Sequence, residues 1–236
     1  KNALAEGRPF SAEYFLERKD GRQVWVWERG RGVEVDGEIL LEGIVLDISD
    51  RKALEDELSE LATRDPLTSL HNRREMTRLL DEELARAARY HRELALLWID
   101  FDHFKDINDQ YGHELGDRVL QRVALLLRDQ AREQDFVGRW GGEEFLAVLP
   151  ETDPEQALVA AERIRAAVQA LEWTDLKPGL QVTLCAGISQ LNDRESFSSA
   201  IARADRALYR GKAHGRNRVE QARLGDAGLG LAEQPV

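Results

Sequence analysis

Four carboxylates in two short stretches carry most of the chemistry this sequence can offer. RWGGEEFLAVLP, residues 139–150, places Glu143 and Glu144 directly after two glycines and ahead of an apolar run. WIDFD, residues 98–102, places Asp100 and Asp102 at the end of another apolar run. Gly-Gly between the strand-like runs DFVGRW and EFLAVL predicts a hairpin, because both glycines tolerate positive φ. Taken alone, the glutamates are those of an ordinary solvated hairpin tip, and a second acidic cluster is needed to make them a site. Asp100 and Asp102 fall on one face of their strand, with Phe101 pointing away and its backbone carbonyl available. If the two strands pair, Asp100 and Glu143 meet at a sheet end, where carboxylates repel one another unless a proton or cation lies between them. Hard oxygen donors with positions left open for phosphate favour Mg²⁺ or Mn²⁺.

The segment DFDHFKDINDQYGHELGD adds further polar groups after the acidic pair. Lys105 can offer charge to a phosphate, while Asn108 and Asp117 can hydrogen-bond a base edge. Guanine presents two adjacent N–H donors that suit a carboxylate, and adenine does not. Late in the chain, KAHGRN supplies Lys212 and Arg216 near a helix C-terminus, a second pair of candidate phosphate ligands. Singly, each of these is ordinarily a solvated charge. Their joint occurrence is what points to a nucleotide site.

These groups need a scaffold, and the hydrophobic pattern supplies one. The first fifty or so residues read as strands FSAEYFLER, QVWVWERGRGVEV and ILLEGIVLDIS, separated by KDG and DGE turns. From Ser49 the period changes: Leu54, Leu58 and Leu61 fall at i, i+4, i+7 among charges, as in an amphipathic connector. That seam suits pairing with a second chain as well as packing within one. After Asp65-Pro66, helices and strands alternate. Asn72 with Glu75 predicts a helix start running to about Arg92, and ELALLWI reads as a buried strand. A polar loop and a helix from about Glu114 to Arg132 follow. Asp153-Pro154-Glu155-Gln156 opens a helix ending near Leu171, VTLCAGISQL is a strand, and Ser196 to His214 is a helix closed by Gly215. NRVEQ makes a last short strand. From about Arg223 the chain lacks periodicity, and a disordered tail is expected.

Composition narrows the function. Thirty-three basic against 44 acidic residues give a formal charge of −11 over 236 residues, which argues against a nucleic-acid or anionic-membrane surface. The single cysteine, Cys185, lies in a strand-like run, so no disulfide framework exists and a reducing, cytoplasmic setting is expected. No signal peptide is evident, and no apolar run approaches the ~18 residues that span a bilayer. The chain begins at Lys1, which is compatible with a membrane tether upstream.

Residues from about 62 to 220 resemble the GGDEF domain, the catalytic domain of bacterial diguanylate cyclases. DPLTSLHNRR, IDFDHFKDINDQYGHELGD, RWGGEEF and ALYRGKAHGRNRV occur in the family's order and with its separations. One departure is Ser69, where the family usually has glycine, at a turn that tightens less easily without it. Residues 1–49 resemble, more loosely, the C-terminal half of a PAS sensor domain. The resemblance implies an α+β fold, a nucleotidyl-cyclase palm-like domain whose central mixed sheet is flanked by helices. A partial PAS-like antiparallel sheet and a connector helix precede it. The expected division is a PAS-like part at 1–49, the connector at 50–63, the GGDEF domain at 64–221 and the tail at 222–236.

The resemblance further implies an enzyme that joins two GTP into cyclic di-GMP with release of two pyrophosphates, each subunit of a homodimer holding one GTP. Asp100, the carbonyl of Phe101 and Glu143 would hold Mg²⁺ or Mn²⁺, with Glu144 supporting the site and Glu143 also the candidate base for the 3′-hydroxyl. Lys105, Lys212 and Arg216 would neutralise the triphosphate. Asn108 and Asp117 would read guanine, with His113 close to the nucleotide. Arg132-Glu133-Gln134-Asp135 matches the family's R-x-x-D inhibitory site at its usual distance before Gly141, and Arg163 resembles a supporting contact for bound cyclic di-GMP. Three other readings stay open on sequence alone: a receptor that has lost catalysis, a same-fold enzyme making another dinucleotide, and a purely structural dimeriser. The intact acidic set, Asp117 and the polar segment around Asn108 speak against them in turn.

Overall fold

The structure, a computed structural model, describes residues 8–191 and 196–223. The tail expected from residue 222 lies, beyond Arg223, outside the described residues. The chain divides into two compact units, Lys1–Leu61 and Ala62–Val236.

In the first unit, β1 (Phe10–Glu17), β2 (Gln23–Val35) and β3 (Glu38–Asp47) form an antiparallel sheet in that order. The β2–β3 turn is Asp36-Gly37, with φ of 53° and 81°. That left-handed pair matches the twist of a two-residue hairpin, and Asp-Gly is a sequence that reaches it readily. The connector α1 (Ser49–Thr63) is anchored at its start: the Trp25 N–H donates to Ser49 Oγ at 3.0 Å, and Lys52 Nζ lies 2.8 Å from Glu13. Leu54, Leu58 and Leu61 are exposed along the helix.

The second unit contains α2 (Arg73–Tyr90), β4 (Leu94–Phe101), α3 (Phe104–Tyr111), α4 (His113–Gln130), β5 (Phe136–Gly141), β6 (Glu144–Pro150), α5 (Pro154–Gln169), β7 (Leu184–Gln190), α6 (Phe197–Ala213) and β8 (Val219–Gln221). The sheet order is β5-β6-β4-β7-β8, antiparallel except for the parallel β7–β8 pair, so the sheet is mixed as expected. Every residue of the central β4 is buried. Its alternation separates two cores: Ala95, Leu97, Ile99 and Phe101 join Val119, Leu120 and Ile164, while Leu94, Leu96 and Trp98 join Met76, Leu80, Ala204 and Leu208. Each fully buried Leu or Ile contributes roughly 1.5–3 kcal/mol relative to exposure. Asp100, by parity, falls on the α6 side. A Cβ at Gly187 would come within 1.9 Å of the Ala204 carbonyl, so this glycine lets α6 lie directly on β7.

The caps read from sequence are present. Asn72 accepts the Glu75 N–H at 2.9 Å, and Asp153 with Gln156 forms a reciprocal capping box. Two expectations need correction. The polar loop after Asp102 is an eight-residue helix, α3, because Phe104 and Ile107 are buried at helical spacing and Tyr111 packs against the same core. The helix expected to reach Arg132 ends at Gln130.

Candidate active site

The acidic residues converge through strand register. β4 pairs with β6 so that Asp100 stands opposite Glu144, and with β7 so that Asp100 also stands opposite Cys185. The hairpin turn is Gly142-Glu143 rather than Gly-Gly: Gly141 ends β5 and pairs with Glu144, and only Gly142 has positive φ, at 52°. A glycine at the first central position alone is the pattern of a type II′ turn. Glu143 therefore sits at the tip, beside the Asp100–Glu144 pair. Burial, then the charge of Asp100, holds the carboxyls of both Glu143 and Glu144 above the usual range. Burial raises Asp100 as well, against the pull of Lys212.

α6 supplies the balancing charge. Lys212 Nζ lies 2.6 Å from Asp100 Oδ1. Sequence reading placed Lys212 with the phosphates, and in this structure its ammonium rests on the carboxylate that a metal would use. Asp205, two helical turns earlier on α6, acts electrostatically on Asp100 and Glu144 and is itself raised by burial. Sequence reading missed it, although its i, i+7 spacing from Lys212 was the available signal. Arg216 is exposed in the loop after α6. Asp102, 5% exposed, is turned to other donors, accepting from Thr183 Oγ1, Cys185 Sγ and the Asn217 N–H.

The base-reading candidates lie together. A Cβ at Gly116 would come within 2.0 Å of Asn108 Oδ1, so α3 presses this side chain onto α4 beside Asp117. Asn108 Oδ1 is buried and has no hydrogen-bond partner among the described residues. Asp117 is exposed on α4, His113 is exposed at its first position, and Lys105 is exposed on α3.

The diguanylate cyclase GGDEF-domain family model matches residues 62–218. The chain belongs to this family. It is 42% identical over 195 residues to diguanylate cyclase DgcP of Pseudomonas aeruginosa, which covers 80% of this chain and 29% of that protein. It is 40% identical over 187 residues to diguanylate cyclase DgcM of Escherichia coli, covering 79% of this chain and 45% of that one. The chain thus spans less than half the length of these two relatives. Among solved structures, the coiled coil and GGDEF domain of DgcB from Caulobacter crescentus, in complex with c-di-GMP, superposes with a TM-score of 0.69 at 31% identity, covering 74% of this chain and 93% of that one. The active GGEEF domain of a diguanylate cyclase from Vibrio cholerae gives 0.62 at 38% identity, covering 65% and 98%.

GGDEF cyclases depend on divalent metals in general. Among the described residues no three His, Cys, Asp or Glu side chains draw together closely enough to enclose a metal ion. The donors nevertheless fit one: they are hard carboxylate oxygens, each raised by burial and by another's charge, and a cation already rests on Asp100.

The GGDEF hairpin is held from outside. Arg139 donates through Nε and Nη2 to the Gly142 carbonyl at 2.9 and 2.7 Å, and its Nη1 reaches Asp65. Asp65 also accepts the Thr68 N–H and hydroxyl, and Ser69 follows with φ of 58°. That left-handed φ explains the family's usual glycine. Arg132, Asp135 and Arg163 line one small cavity between α4, β5 and α5. Asp135 Oδ2 accepts the Arg132 N–H at 2.8 Å, Oδ1 is buried without a hydrogen-bond partner among the described residues, and Arg163 donates to the Gln130 carbonyl. A separate cavity of about 410 Å³, lined by Glu83, Arg86 and Glu151 among others, opens at the opposite end of β4 and β6 from the carboxylates.

No helix among the described residues is long and apolar enough to cross a membrane.

Proposed function

We propose that this domain condenses two GTP into cyclic di-GMP, releasing two pyrophosphates. The reading is carried by one observation: the β4–β6 register sets Asp100 opposite Glu144, with Glu143 at the adjoining turn and Lys212 on the same cluster. Asp100, the Phe101 carbonyl, Glu143 and Glu144 would hold Mg²⁺ or Mn²⁺. When bound, the ion supplies charge neutralisation and Lewis acidity at the α-phosphate. Glu143, at the hairpin tip beside Asp100 and Glu144, is the candidate base that takes the proton of the 3′-hydroxyl. The 3′-oxygen then attacks the α-phosphorus in line, and pyrophosphate leaves against Lys105, Lys212 and Arg216. Asn108 and Asp117 hold the guanine edge, with His113 nearby.

One subunit presents one GTP, so the reaction requires two subunits face to face, and the exposed Leu54, Leu58 and Leu61 seam of α1 supports such a homodimer. Cyclic di-GMP binds at Arg132, Asp135 and Arg163 and slows the enzyme; the unpartnered Asp135 oxygen in that cavity supports this. The N-terminal sheet acts as the C-terminal part of a PAS-like sensor, with boundaries at 49, 63 and 221, in a cytoplasmic enzyme with neither nucleic-acid nor direct membrane contact. Purified protein given GTP and Mg²⁺ should form cyclic di-GMP, and Glu143→Gln should keep its fold and lose most turnover. A Glu143→Gln protein as active as the parent would overturn the assignment.

A further inference from the structure

The second carboxylate of the acidic strand end has a different task from the first. We propose that Asp102 is a positioning residue for the phosphate side of the site, fixing the loop that carries Arg216 through its bond to the Asn217 backbone. The inference rests on the reading of Lys212 and Arg216 as triphosphate ligands.

Both oxygens of Asp102 are already used. Oδ2 accepts the Asn217 N–H at 2.8 Å and Thr183 Oγ1 at 2.7 Å, and Oδ1 accepts Cys185 Sγ at 3.2 Å. The Cys185 thiol, pushed up to about 12 chiefly by burial, stays protonated and keeps its proton to donate. A buried carboxylate with three donors directed at it has little left for a metal, whereas Asp100, two residues earlier, faces Lys212.

The loop it grips needs holding. Gly215, Arg216 and Asn217 follow one another with φ of 107°, 62° and 46°. Left-handed backbone costs a non-glycine residue roughly 1–2 kcal/mol and persists only where the surroundings fix it. Four bonds to neighbouring elements do so here, beside the loop's own contact from Arg218 Nε to the Arg216 carbonyl at 3.4 Å. The Arg216 N–H donates to the Gly211 carbonyl at 3.1 Å, and the Ala186 N–H donates to the Arg218 carbonyl at 3.0 Å. The other two come from side chains: Asp102 on the Asn217 N–H, and Arg165 of α5, whose Nη1 donates to Asn217 Oδ1 at 2.8 Å. Asp102 thereby ties the strand end bearing the metal carboxylate to the loop bearing Arg216. Removing it should release the phosphate side while leaving the β4–β6 register, and the guanine contacts on α3 and α4, in place.

The test compares binding of GMP with that of a GTP analogue carrying a methylene in place of the α–β bridging oxygen, by calorimetry on the full chain with Mg²⁺. Steady-state kinetics and thermal melts accompany it. Asp102→Ala should weaken the analogue about tenfold, the scale of a lost buried hydrogen bond to a charged group, and raise KM for GTP more than it lowers kcat. GMP affinity should hold. Asp102→Asn should rescue, because its amide oxygen can accept both the Asn217 and Thr183 donors. Arg165→Met, a change on the outer helix that leaves Asp102 intact, should weaken the analogue in the same selective way by a smaller factor, and it decides the matter if Asp102→Ala does not fold. Equal loss of GMP and analogue, or an Asn variant no better than Ala, would overturn the inference. Arg216→Ala separates the two levels. If it leaves analogue binding intact, the phosphate reading itself fails; if it weakens the analogue while Asp102→Ala and Arg165→Met do not, only the positioning role fails.

Discussion

Arg139 Nη1 stands 3.3 Å from Asp65 Oδ1, which joins the turn that opens the domain to the hairpin that carries Glu143. The same guanidinium holds the Gly142 carbonyl with two nitrogens. Both side chains of the pair are less than a fifth exposed, so the contact is more than a surface ion pair. Arg139→Met should leave the β5–β6 ladder intact but free the turn, lowering turnover about tenfold to a hundredfold, the equivalent of ~1–3 kcal/mol for buried charged hydrogen bonds. Asp65→Asn, which keeps an oxygen for Thr68, should lose less. Equal activity of Arg139→Met and parent would show that the turn needs no such support.

Ser69 offers the opposite experiment, a change that should help. Its φ of 58° places a Cβ in left-handed backbone, and its N–H is already fixed to the Asp65 carbonyl at 2.8 Å. Relief of that strain exceeds the extra freedom that glycine gives the unfolded chain, so Ser69→Gly should stabilise the domain by about 0.5–1 kcal/mol. Denaturant midpoints of parent and variant measure this directly. A lower midpoint for the variant would contradict it.

What the sequence made legible, and what it hid, follows from the range of the interactions. The β4 run and the Asp153 capping box were readable because hydrophobic alternation and capping are local. That Asp100 comes to the glutamate end of the hairpin was readable once the two strands were paired, but the register was not: it sets Glu144, rather than Glu143, opposite Asp100. Helix α3 was hidden: Phe104, Ile107 and Tyr111 carry helical spacing, but polar residues around Asn108 masked so short a pattern. The turn shifted by one residue because two adjacent glycines offer two positions for the positive φ, and strand register chose Gly142. Asp65 with Arg139 and Asp102 with Asn217 were not legible, since each joins segments that only the tertiary fold brings together, and Asp205 was traceable only through its helical spacing from Lys212.

Asp117 should decide which base is used. It lies next to Gly116, against which Asn108 packs, and a carboxylate there matches the paired N–H donors of guanine. Asp117→Ser should reduce kcat/KM for GTP by about tenfold to a hundredfold and narrow the preference over ATP, as loss of one partner of a specific hydrogen bond does. An unchanged ratio of GTP to ATP use would remove Asp117 from this role.

On the proposed homodimer, the α1 seam should make turnover concentration-dependent. Leu54, Leu58 and Leu61 are 56%, 59% and 66% exposed, a row of large apolar side chains on one helix. Specific activity should rise with protein concentration until dimers saturate, and Leu58→Asp should shift that rise to higher concentration while leaving the plateau near the parent's. Sedimentation at matching concentrations checks the assembly. A demonstrated monomer with a constant rate would sink the dependence.

Product control should carry its own pH signature, because Asp135 is half-buried and burial holds its carboxyl above the usual range in spite of the Arg132 N–H. The folded protein therefore binds a proton at Asp135 more tightly than the unfolded chain does. Its contribution to stability is absent below the ordinary carboxylate pKa and becomes a cost as pH rises through the raised value. Asp135→Asn keeps an oxygen for the Arg132 N–H, so the melting-temperature difference, variant minus parent, should grow across that window and level off above it. The charged form is the one that accepts from a guanine N–H, so inhibition by added cyclic di-GMP should fade in the parent as pH drops through the same window. Arg132→Ala should give near-normal initial velocity and a progress curve that stays linear while the parent's bends. If the parent does not slow with added product at neutral pH, Arg132 and Asp135 serve only to close the end of α4, and the two oxygens of Asp135 have no ligand to meet.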